Sequence, residues 1–316
     1  MEKKKYKLAS LAKAHNLTPL YLSEDYEVRA LTTYNVTRPA LQLTGFYDSF
    51  DEKRLQIIGK AETAFLRALD EQERKAVIDR LFSSGIPALV VCNRVVPDSL
   101  LVDAARRYDV CLFTTDMETS DFIAQVINTL RTRLAPTTTV HAVLVQVHGE
   151  GVLIMGESGI GKSEVALELI KRGHRLVADD AVELRRLGRE ALDGKAPKFI
   201  RYLMELRGVG IIDVRRLYGV GAVLPRAKID LVVNFVHWDD TVEYDRLGAV
   251  DETTSFLGVS VPQITVPVAP ARNLAIILEV AAMNNRDKRL GHNTAKEFLE
   301  MHDRRIDSGW DEDLDD

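Results

Sequence analysis

The chain has 316 residues, 46% of them hydrophobic and 28% charged, with a formal net charge of −5. These proportions are typical of a soluble protein. The length is sufficient for two domains. The net negative charge excludes a global basic field that would attract nucleic acid or an anionic membrane surface. No run of about 18 apolar residues predicts a membrane-spanning helix, and we expect a cytoplasmic protein.

Residues 1–134 are predicted to form a small α/β domain, because helix and strand patterns alternate along them. The alternation predicts a small parallel sheet flanked by helices. No residue pattern in this half indicates a function. The predicted elements are the helix Leu55–Phe82, the strand Ala88–Cys92, the helix Leu100–Tyr108, the strand Val110–Thr114 and the helix Phe122–Leu134, which Thr119–Asp121 is expected to cap.

The two cysteines, Cys92 and Cys111, lie in apolar runs and are expected to be small buried side chains. Their number and spacing indicate neither a disulfide framework nor a metal site. At the other end of the chain, Trp310–Asp316 is a block of like charge, typical of a solvated terminus.

A joint is predicted at Ala135–Thr139, where a proline and a polar run interrupt the helical pattern. The second domain is expected to occupy residues 135–316. It begins with a predicted strand at Val140–Val147, a tight turn at His148–Gly151 and a fully apolar strand at Val152–Met155. That second strand leads directly into a glycine-rich loop.

The glycine-rich loop matches the pattern G-x-x-x-x-G-K-[ST] between a strand and an amphipathic helix. Glycine allows the positive φ angles that turn backbone N–H groups toward an anion, and the helix start adds further donors. Lysine supplies a point charge to phosphates, and the hydroxyl is a Mg²⁺ ligand. We therefore predict an ATP site, held in an exposed loop, at Gly156, Glu157, Ser158, Gly159, Ile160, Gly161, Lys162 and Ser163.

Three further patterns could complete a phosphoryl-transfer site. The predicted strand Arg175–Asp180 ends in two carboxylates, which could hold Mg²⁺ or act as a base. If the strand stays extended, Asp179 and Asp180 point to opposite faces. The stretch Met204–Asp213 places Glu205 before a Gly-x-Gly turn, and His141 precedes the hairpin; both are weak signals alone.

Taken together, these residues resemble the bifunctional HPr kinase/phosphorylase family of bacterial carbohydrate regulation. The resemblance implies ATP-dependent phosphorylation of a serine of the phosphocarrier protein HPr. It also implies the reverse reaction, in which inorganic phosphate removes the phosphoryl group and pyrophosphate is released. A catalytic domain like that of phosphoenolpyruvate carboxykinases and a homohexamer are implied as well. The matching segments are His141, Gly156–Glu164, Arg172–Asp180, Met204–Asp213, Tyr244–Gly248 and Pro267–Asn284.

The resemblance also implies roles for individual residues. Ser163 and Glu205 would ligate Mg²⁺, and Lys162 would neutralise the transferring phosphoryl group. One of Asp179 and Asp180, with Asp180 preferred, would take the serine proton in the forward reaction and return it in the reverse. His141 and Arg246 would complete the active site.

One loop departs from the family pattern. The family's dephosphorylation loop is expected to carry arginine and glycine where this chain has Ala269 and Ala271. Loss of a cation removes an anion contact, and loss of a glycine restricts the turn. The departure therefore bears on the phosphorolysis direction and leaves the kinase direction unaffected. The loop comprises Pro267, Val268, Ala269, Pro270, Ala271 and Arg272.

Two other functions fit parts of the pattern. A small-molecule kinase could use the same catalytic domain, and a turnover assay with candidate acceptors would separate it from a protein kinase. A nucleotide-dependent sensor is the second alternative. The adjacent carboxylates Asp179 and Asp180 argue against it, because a sensor needs no base.

Overall fold

The computed structural model of the chain describes residues 4–188, 190–242, 251–269 and 272–307. The chain divides into two compact units, Met1–Ala135 and Pro136–Asp316. Within the described ranges, no helix combines the length and the apolar character needed to cross a bilayer.

The first unit contains a five-stranded sheet with helices on both faces. Its elements are β1 (Tyr6–Lys7), α1 (Leu8–Ala14), β2 (Thr18–Tyr21), β3 (Ala30–Leu31), β4 (Val36–Thr37), α2 (Ala40–Leu43), β5 (Leu55–Ile58), α3 (Lys60–Ala68), α4 (Glu71–Ser83), β6 (Ala88–Val91), α5 (Ser99–Arg107), β7 (Cys111–Thr114) and α6 (Thr119–Leu134). The sheet order is β2-β7-β6-β5-β4. Strands β4 to β7 pair in parallel, and β2 is an antiparallel edge strand. The predicted α/β domain with a small parallel sheet is confirmed.

Strand alternation produces two hydrophobic cores in this unit. Ile57 and Val90 face one core with α1 and α6, whereas Ile58 and Leu89 face the other core with α4 and α5. Successive side chains of a strand point to opposite faces, so strands covered on both sides are apolar throughout.

Two local predictions for the first unit are wrong. The predicted helix Leu55–Phe82 is a fully buried strand, Leu55–Ile58, followed by two helices, α3 and α4. A short apolar run does not distinguish a strand from a helix by periodicity, and Asp70 begins α4 as its N-cap residue. The cap of α6 also differs. Its N-cap residue is Glu118, which makes no side-chain cap bond, and the Thr119 hydroxyl oxygen accepts a hydrogen bond from Asn93 Nδ2 at 2.7 Å instead.

The second unit is built on a six-stranded sheet, a four-stranded sheet and a hairpin. Its elements are β8 (Thr137–His141), β9 (Val143–Val147), β10 (Glu150–Gly156), α7 (Lys162–Lys171), β11 (Arg175–Ala178), β12 (Ala181–Leu187), β13 (Ala191–Lys195), β14 (Leu203–Leu206), β15 (Gly210–Asp213), α8 (Val214–Tyr218), β16 (Ala227–Lys228), β17 (Leu231–His237), β18 (Thr253–Phe256), β19 (Val259–Val268), α9 (Leu274–Arg289) and α10 (Thr294–Asp307). The sheet orders are β11-β9-β10-β17-β19-β18 and β16-β13-β12-β8, and β14 pairs with β15.

The strand directions determine which edge of the six-stranded sheet carries the carboxyl ends of its strands. Strand β10 is parallel to β17, and β17 is parallel to β19. Strand β9 is antiparallel to both β10 and β11, so β11 runs in the same direction as β10. The carboxyl ends of β10, β11, β17 and β19 therefore lie at one edge of the sheet, which we call the site edge.

The entry into the second unit differs from the prediction. The predicted strand Val140–Val147 is broken at Ala142, and the two pieces, β8 and β9, belong to different sheets. Three residues of the predicted joint, Thr137–Thr139, lie in β8 and pair with β12. The side-chain pattern of a strand does not show which strand it pairs with. Both β8 and β9 alternate their side chains between two faces, so the change of sheet at Ala142 is not visible in the sequence.

The tight turn before β10 is confirmed. His148 and Gly149 have φ angles of 48° and 91°, and the flanking residues Val147 and Glu150 are paired. Two consecutive left-handed residues give the turn that suits the twist of a two-residue hairpin.

At the edge opposite the site edge, two buried carboxylates are paired with cations. Asp230 is 8% exposed and Glu150 5% exposed. Asp230 accepts hydrogen bonds from the Gly151 N–H at 3.0 Å and from Lys228 Nζ at 2.7 Å. Arg289 bonds both carboxylates and lies 3.0 Å from Asp230. This network ties α9 to the start of β10 and β17.

We predict that Asp230→Ala will lower the free energy of unfolding of the second unit by about 1–3 kcal/mol, because the buried Gly151 N–H loses its acceptor. Glu183→Ala is the matched control, since the Glu183–Lys195 pair is about one-third exposed on both sides; its loss should be at most about 1 kcal/mol. Denaturant unfolding followed by the fluorescence of Trp238, which directly follows β17, measures both. Equal small losses would contradict the structural role of Asp230.

Candidate active site

The predicted phosphate loop begins at the site edge, directly after β10. Gly156, Gly159 and Gly161 have φ angles of 142°, 87° and 104°, a region that other residues rarely adopt. Gly161 is the N-cap residue of α7 and supplies no side-chain cap. The first N–H groups of α7 are therefore available to an anion, as at other helix starts that bind phosphate.

The loop leaves space where an anion would lie. A Cβ atom added at Gly161 would meet no atom within 4 Å, whereas one added at Gly159 would clash with the guanidinium of Arg207. Arg207 thus lies directly against the loop. A cradle of backbone N–H groups with an adjacent guanidinium is chemically suited to phosphate.

Lys162 is buried, although Glu157, Ser158 and Gly159 of the same loop are exposed. It is 6% exposed, and its Nζ donates to the carbonyl oxygens of Gly156 and Glu157 at 2.8 Å each. Desolvation by burial lowers the pKa of Lys162, and the carboxylates of Asp179 and Asp180 act in the opposite direction. Lys162 therefore stabilises the loop through these two hydrogen bonds, in addition to the phosphate contact that was expected of it.

The Asp179 carboxylate connects the loop helix to the neighbouring hairpin. Asp179 is 3% exposed. Its Oδ1 accepts a hydrogen bond from the Ser163 hydroxyl at 2.8 Å, and its Oδ2 accepts one from the Glu205 N–H at 3.1 Å. Burial raises the pKa of Asp179, while these two hydrogen bonds act against the rise.

Asp180 has a different environment from Asp179. Its φ angle is 67°, so the chain does not stay extended through the two aspartates. Its side chain is 65% exposed and lies 3.0 Å from His141, between Oδ1 and Nδ1. The backbone carbonyl of Asp180 also accepts a hydrogen bond from the Ala142 N–H at 3.2 Å. The break between β8 and β9 is what places His141 beside Asp180.

Glu205 lies in β14, beside Asp179, with an exposed side chain. The turn that follows uses Gly208 and Gly210, whose φ angles are 79° and 96°. The structure thus brings the stretch Met204–Asp213 to the phosphate loop. The metal-binding role of Glu205 stays a prediction.

The predicted dephosphorylation loop begins with the last two residues of β19, Pro267 and Val268, and so also starts at the site edge. The Arg272 guanidinium lies over the Trp238 ring, 5.1 Å from its centroid. Arg272 Nη1 also donates to the Pro267 carbonyl at 3.4 Å. The predicted site residues Arg246, Pro270 and Ala271 lie outside the described residues.

Sequence reasoning gave no role to Arg207 or Trp238, and it included Glu157 only as a member of the phosphate loop. Arg207 approaches Gly159 across the unit, and Glu157 lies 3.7 Å from His237 at the end of β17. Arg207 directly precedes the Gly-x-Gly turn Gly208–Gly210, and this position is the one feature of the sequence that pointed to it. The contacts of Glu157 and Trp238 join segments far apart in the chain and have no local pattern.

Comparison with known proteins covers both units. Residues 132–302 match the family described as the HPr Serine kinase C-terminal domain, and residues 7–130 match the HPr Serine kinase N terminus. The HPr kinase/phosphorylase of Caldanaerobacter subterraneus subsp. tengcongensis is 48% identical over 93% of this chain and 96% of its own length. That of Caldicellulosiruptor bescii is 45% identical over 96% of this chain and 97% of its own.

A solved structure is also similar to part of the chain. The structure of the Hpr(Ser) kinase/phosphatase from Coxiella burnetii is 36% identical and covers 51% of this chain and 98% of its own, with a TM-score of 0.46. The family assignment itself rests on the sequence matches over both units. The chain belongs to the HPr serine kinase family.

Proposed function

We propose that the chain transfers the γ-phosphoryl group of ATP to a serine of HPr, and that it catalyses the reverse, phosphate-dependent phosphorolysis with release of pyrophosphate. The observation that carries this proposal is the meeting, at one sheet edge, of a phosphate loop and an exposed aspartate–histidine pair. Relatives that match nearly the whole chain are named HPr kinase/phosphorylase. No specific observation favours the small-molecule kinase or the sensor.

The residues at the loop fit ATP with Mg²⁺. Ser163, Glu205 and Asp179 form an all-oxygen set, the kind of ligand that Mg²⁺ prefers. We propose that Ser163 and Glu205 hold the ion, while Asp179 orients Ser163 through its 2.8 Å hydrogen bond. Mg²⁺ held by these residues would neutralise the charge of the phosphates.

Lys162 is suited to contact phosphate while it braces the loop. An ammonium group has three N–H donors, and the two loop carbonyls account for two of them. The third donor can bond a phosphate oxygen without breaking the loop contacts. Because the ammonium is buried, its charge is less screened by water than a surface lysine would be.

Asp180 is proposed to be the base. Its exposed carboxylate can reach a serine hydroxyl presented from solvent, whereas the carboxylate oxygens of Asp179 already accept bonds from Ser163 and Glu205. In the forward direction Asp180 takes the serine proton, and in the reverse direction it returns one, as microscopic reversibility requires. His141 holds the carboxylate in position, and Arg246 is proposed to assist.

The reverse reaction needs a second anion site. The loop after β19 is proposed to supply it, with Arg272 held by Trp238 and the Pro267 carbonyl. A guanidinium has five N–H donors, so donors remain for a phosphate after the Pro267 bond.

The chain is also proposed to work as a cytoplasmic homohexamer. Cys92 and Cys111 are free and buried, which suits a reducing compartment. Several apolar side chains of the second unit are more than 70% exposed, and association would cover them. They include Phe199, Val209, Ile211 and Val220. The number six comes from the resemblance of the sequence, and sedimentation of the purified chain tests it.

The deciding experiment for the proposed function incubates the purified chain with labelled ATP, Mg²⁺ and HPr. A second reaction contains seryl-phosphorylated HPr and inorganic phosphate. We expect label on a serine of HPr in the first reaction and pyrophosphate in the second. Unlabelled HPr in the first, with a small-molecule acceptor labelled instead, would contradict the protein-kinase proposal.

We predict that Lys162→Ala will abolish phosphoryl transfer in both directions, because it removes the buried charge at the phosphates. Lys171→Ala, at the exposed far end of the same helix, is the matched control and should keep its activity. Initial rates in both directions measure the effect, with circular dichroism to check folding. A folded Lys162→Ala variant with near wild-type rates would refute the phosphate-loop assignment.

We predict that Asp180→Asn will lower the rate by roughly 10²–10⁴ with nucleotide affinity nearly unchanged, because the side chain keeps its shape but loses its proton acceptor. Asp179→Asn should instead weaken nucleotide and Mg²⁺ binding, since it alters the bond to Ser163. Turnover and nucleotide titration of both variants separate the effects. The opposite pattern would mean that the two roles are reversed.

We predict that Arg272→Ala will lower phosphate-dependent dephosphorylation much more than ATP-dependent phosphorylation, because two anions crowd the site in the reverse reaction. Arg272→Lys keeps the charge but loses the planar fork, so it should recover only part of the reverse rate. Compared with relatives that carry arginine and glycine at the positions of Ala269 and Ala271, the wild-type chain should need more phosphate. Equal losses in both directions would show that Arg272 serves the shared reaction or the fold.

A further inference from the structure

Two histidines and a glutamate meet at the sheet edge opposite the site edge. His148 lies in the turn between β9 and β10, His174 directly precedes β11, and Glu279 lies in the middle of α9. Strand β10 has seven residues, and a rise of about 3.3 Å per residue puts roughly 20 Å between this cluster and the phosphate loop. The cluster is therefore separate from the proposed ATP and Mg²⁺ site.

The three side chains already face one another. His174 Nε2 lies 2.9 Å from Glu279 Oε1. The His148 and His174 rings are edge to face, with centroids 4.7 Å apart. One ligand atom from each of the three residues lies within 4.8 Å of the other two.

The surroundings of the cluster orient the Glu279 carboxylate and leave the cluster accessible to an ion. Arg172 Nη1 bonds the other Glu279 oxygen, Oε2, at 3.2 Å, which keeps Oε1 directed at His174. His174 is buried and His148 exposed, so the cluster is open to solvent on the His148 side.

We propose that His148, His174 and Glu279 form a binding site for a transition-metal ion of the Zn²⁺ type. Two imidazole nitrogens and one carboxylate oxygen are a common three-ligand set for Zn²⁺, and water can supply the fourth ligand. Mg²⁺ prefers oxygen ligands and would not compete effectively for this set.

Only small movements are needed to bind the ion. Tetrahedral ligands at about 2.0–2.1 Å from Zn²⁺ are roughly 3.3 Å apart. His174 and Glu279 are already close to that separation, and the exposed His148 side chain can rotate to close the remaining gap. The ion would replace the proton shared by His174 and Glu279 and would link the hairpin turn, the start of β11 and α9.

The test titrates the metal-stripped full chain with Zn²⁺, and with Co²⁺ as a spectroscopic probe, in excess Mg²⁺. His148→Asn removes the imidazole while asparagine tolerates the left-handed backbone at this position. Glu279→Gln removes the carboxylate charge. His292→Ala is the matched control, because His292 is exposed and lies outside the cluster.

We expect one Zn²⁺ per chain and a Co²⁺ absorption spectrum with nitrogen ligation. His148→Asn and Glu279→Gln should weaken Zn²⁺ binding by more than the roughly 10–100-fold typical of losing an outer-shell partner, and His292→Ala should not change it. Zn²⁺ should also raise the unfolding temperature of the wild type but not of His148→Asn. Absence of binding in the wild type, or equal affinity in all four chains, would overturn the proposal.

Discussion

The candidate site depends on one buried carboxylate. Asp179 is almost inaccessible to water, and it accepts hydrogen bonds from the Ser163 hydroxyl and the Glu205 backbone. Burial of a carboxylate is unfavourable unless its oxygens are satisfied, so these bonds hold α7 and β14 at fixed positions on either side of it. The phosphate loop and the hairpin that carries Glu205 meet because Asp179 requires both.

The left-handed backbone at Asp180 gives the two aspartates their different surroundings. The Ala181 N–H donates to the Asp179 carbonyl at 2.8 Å, which closes a sharp turn immediately after β11. The turn directs one carboxylate into the protein and leaves the next exposed beside His141. Residues with positive φ that are not glycine are uncommon and occur disproportionately at functional sites. Had the strand stayed extended, the Asp179 and Asp180 side chains would have pointed to opposite faces of the sheet.

The two edges of the six-stranded sheet carry different chemistry. The site edge gathers N–H groups and the side chains of Lys162, Asp180 and Arg272, because four strands end there in the same direction. The opposite edge holds the buried Asp230 and Glu150 network and the histidine cluster. Helix α9 contributes Glu279 to the cluster and Arg289 to the network, so it is anchored by charge at two points. The loop immediately before this anchored helix carries Arg272.

Much of the site could be predicted from the sequence, because its strongest features are local. The phosphate loop needs glycines at fixed spacing and a helix start, and both are encoded within the segment Gly156–Ser163. The pair Asp179–Asp180 and the alternating elements of the first unit are likewise readable over a few residues. The same local reading mistook Leu55–Ile58 for helix, since a short strand buried on both faces is as apolar as a helical segment.

Tertiary structure decided everything that depends on contacts between distant segments. It broke the run Val140–Val147 between two sheets, buried Lys162 against its own loop, and placed Arg207 on Gly159. It also brought together His148, His174 and Glu279, which are separated by more than a hundred residues of chain between the first and the last. Sequence by itself determined which chemical groups this protein has and their local backbone preferences. Only the fold determined which groups are close, because burial and pairing arise from strand order and direction, and neither is encoded in a local pattern.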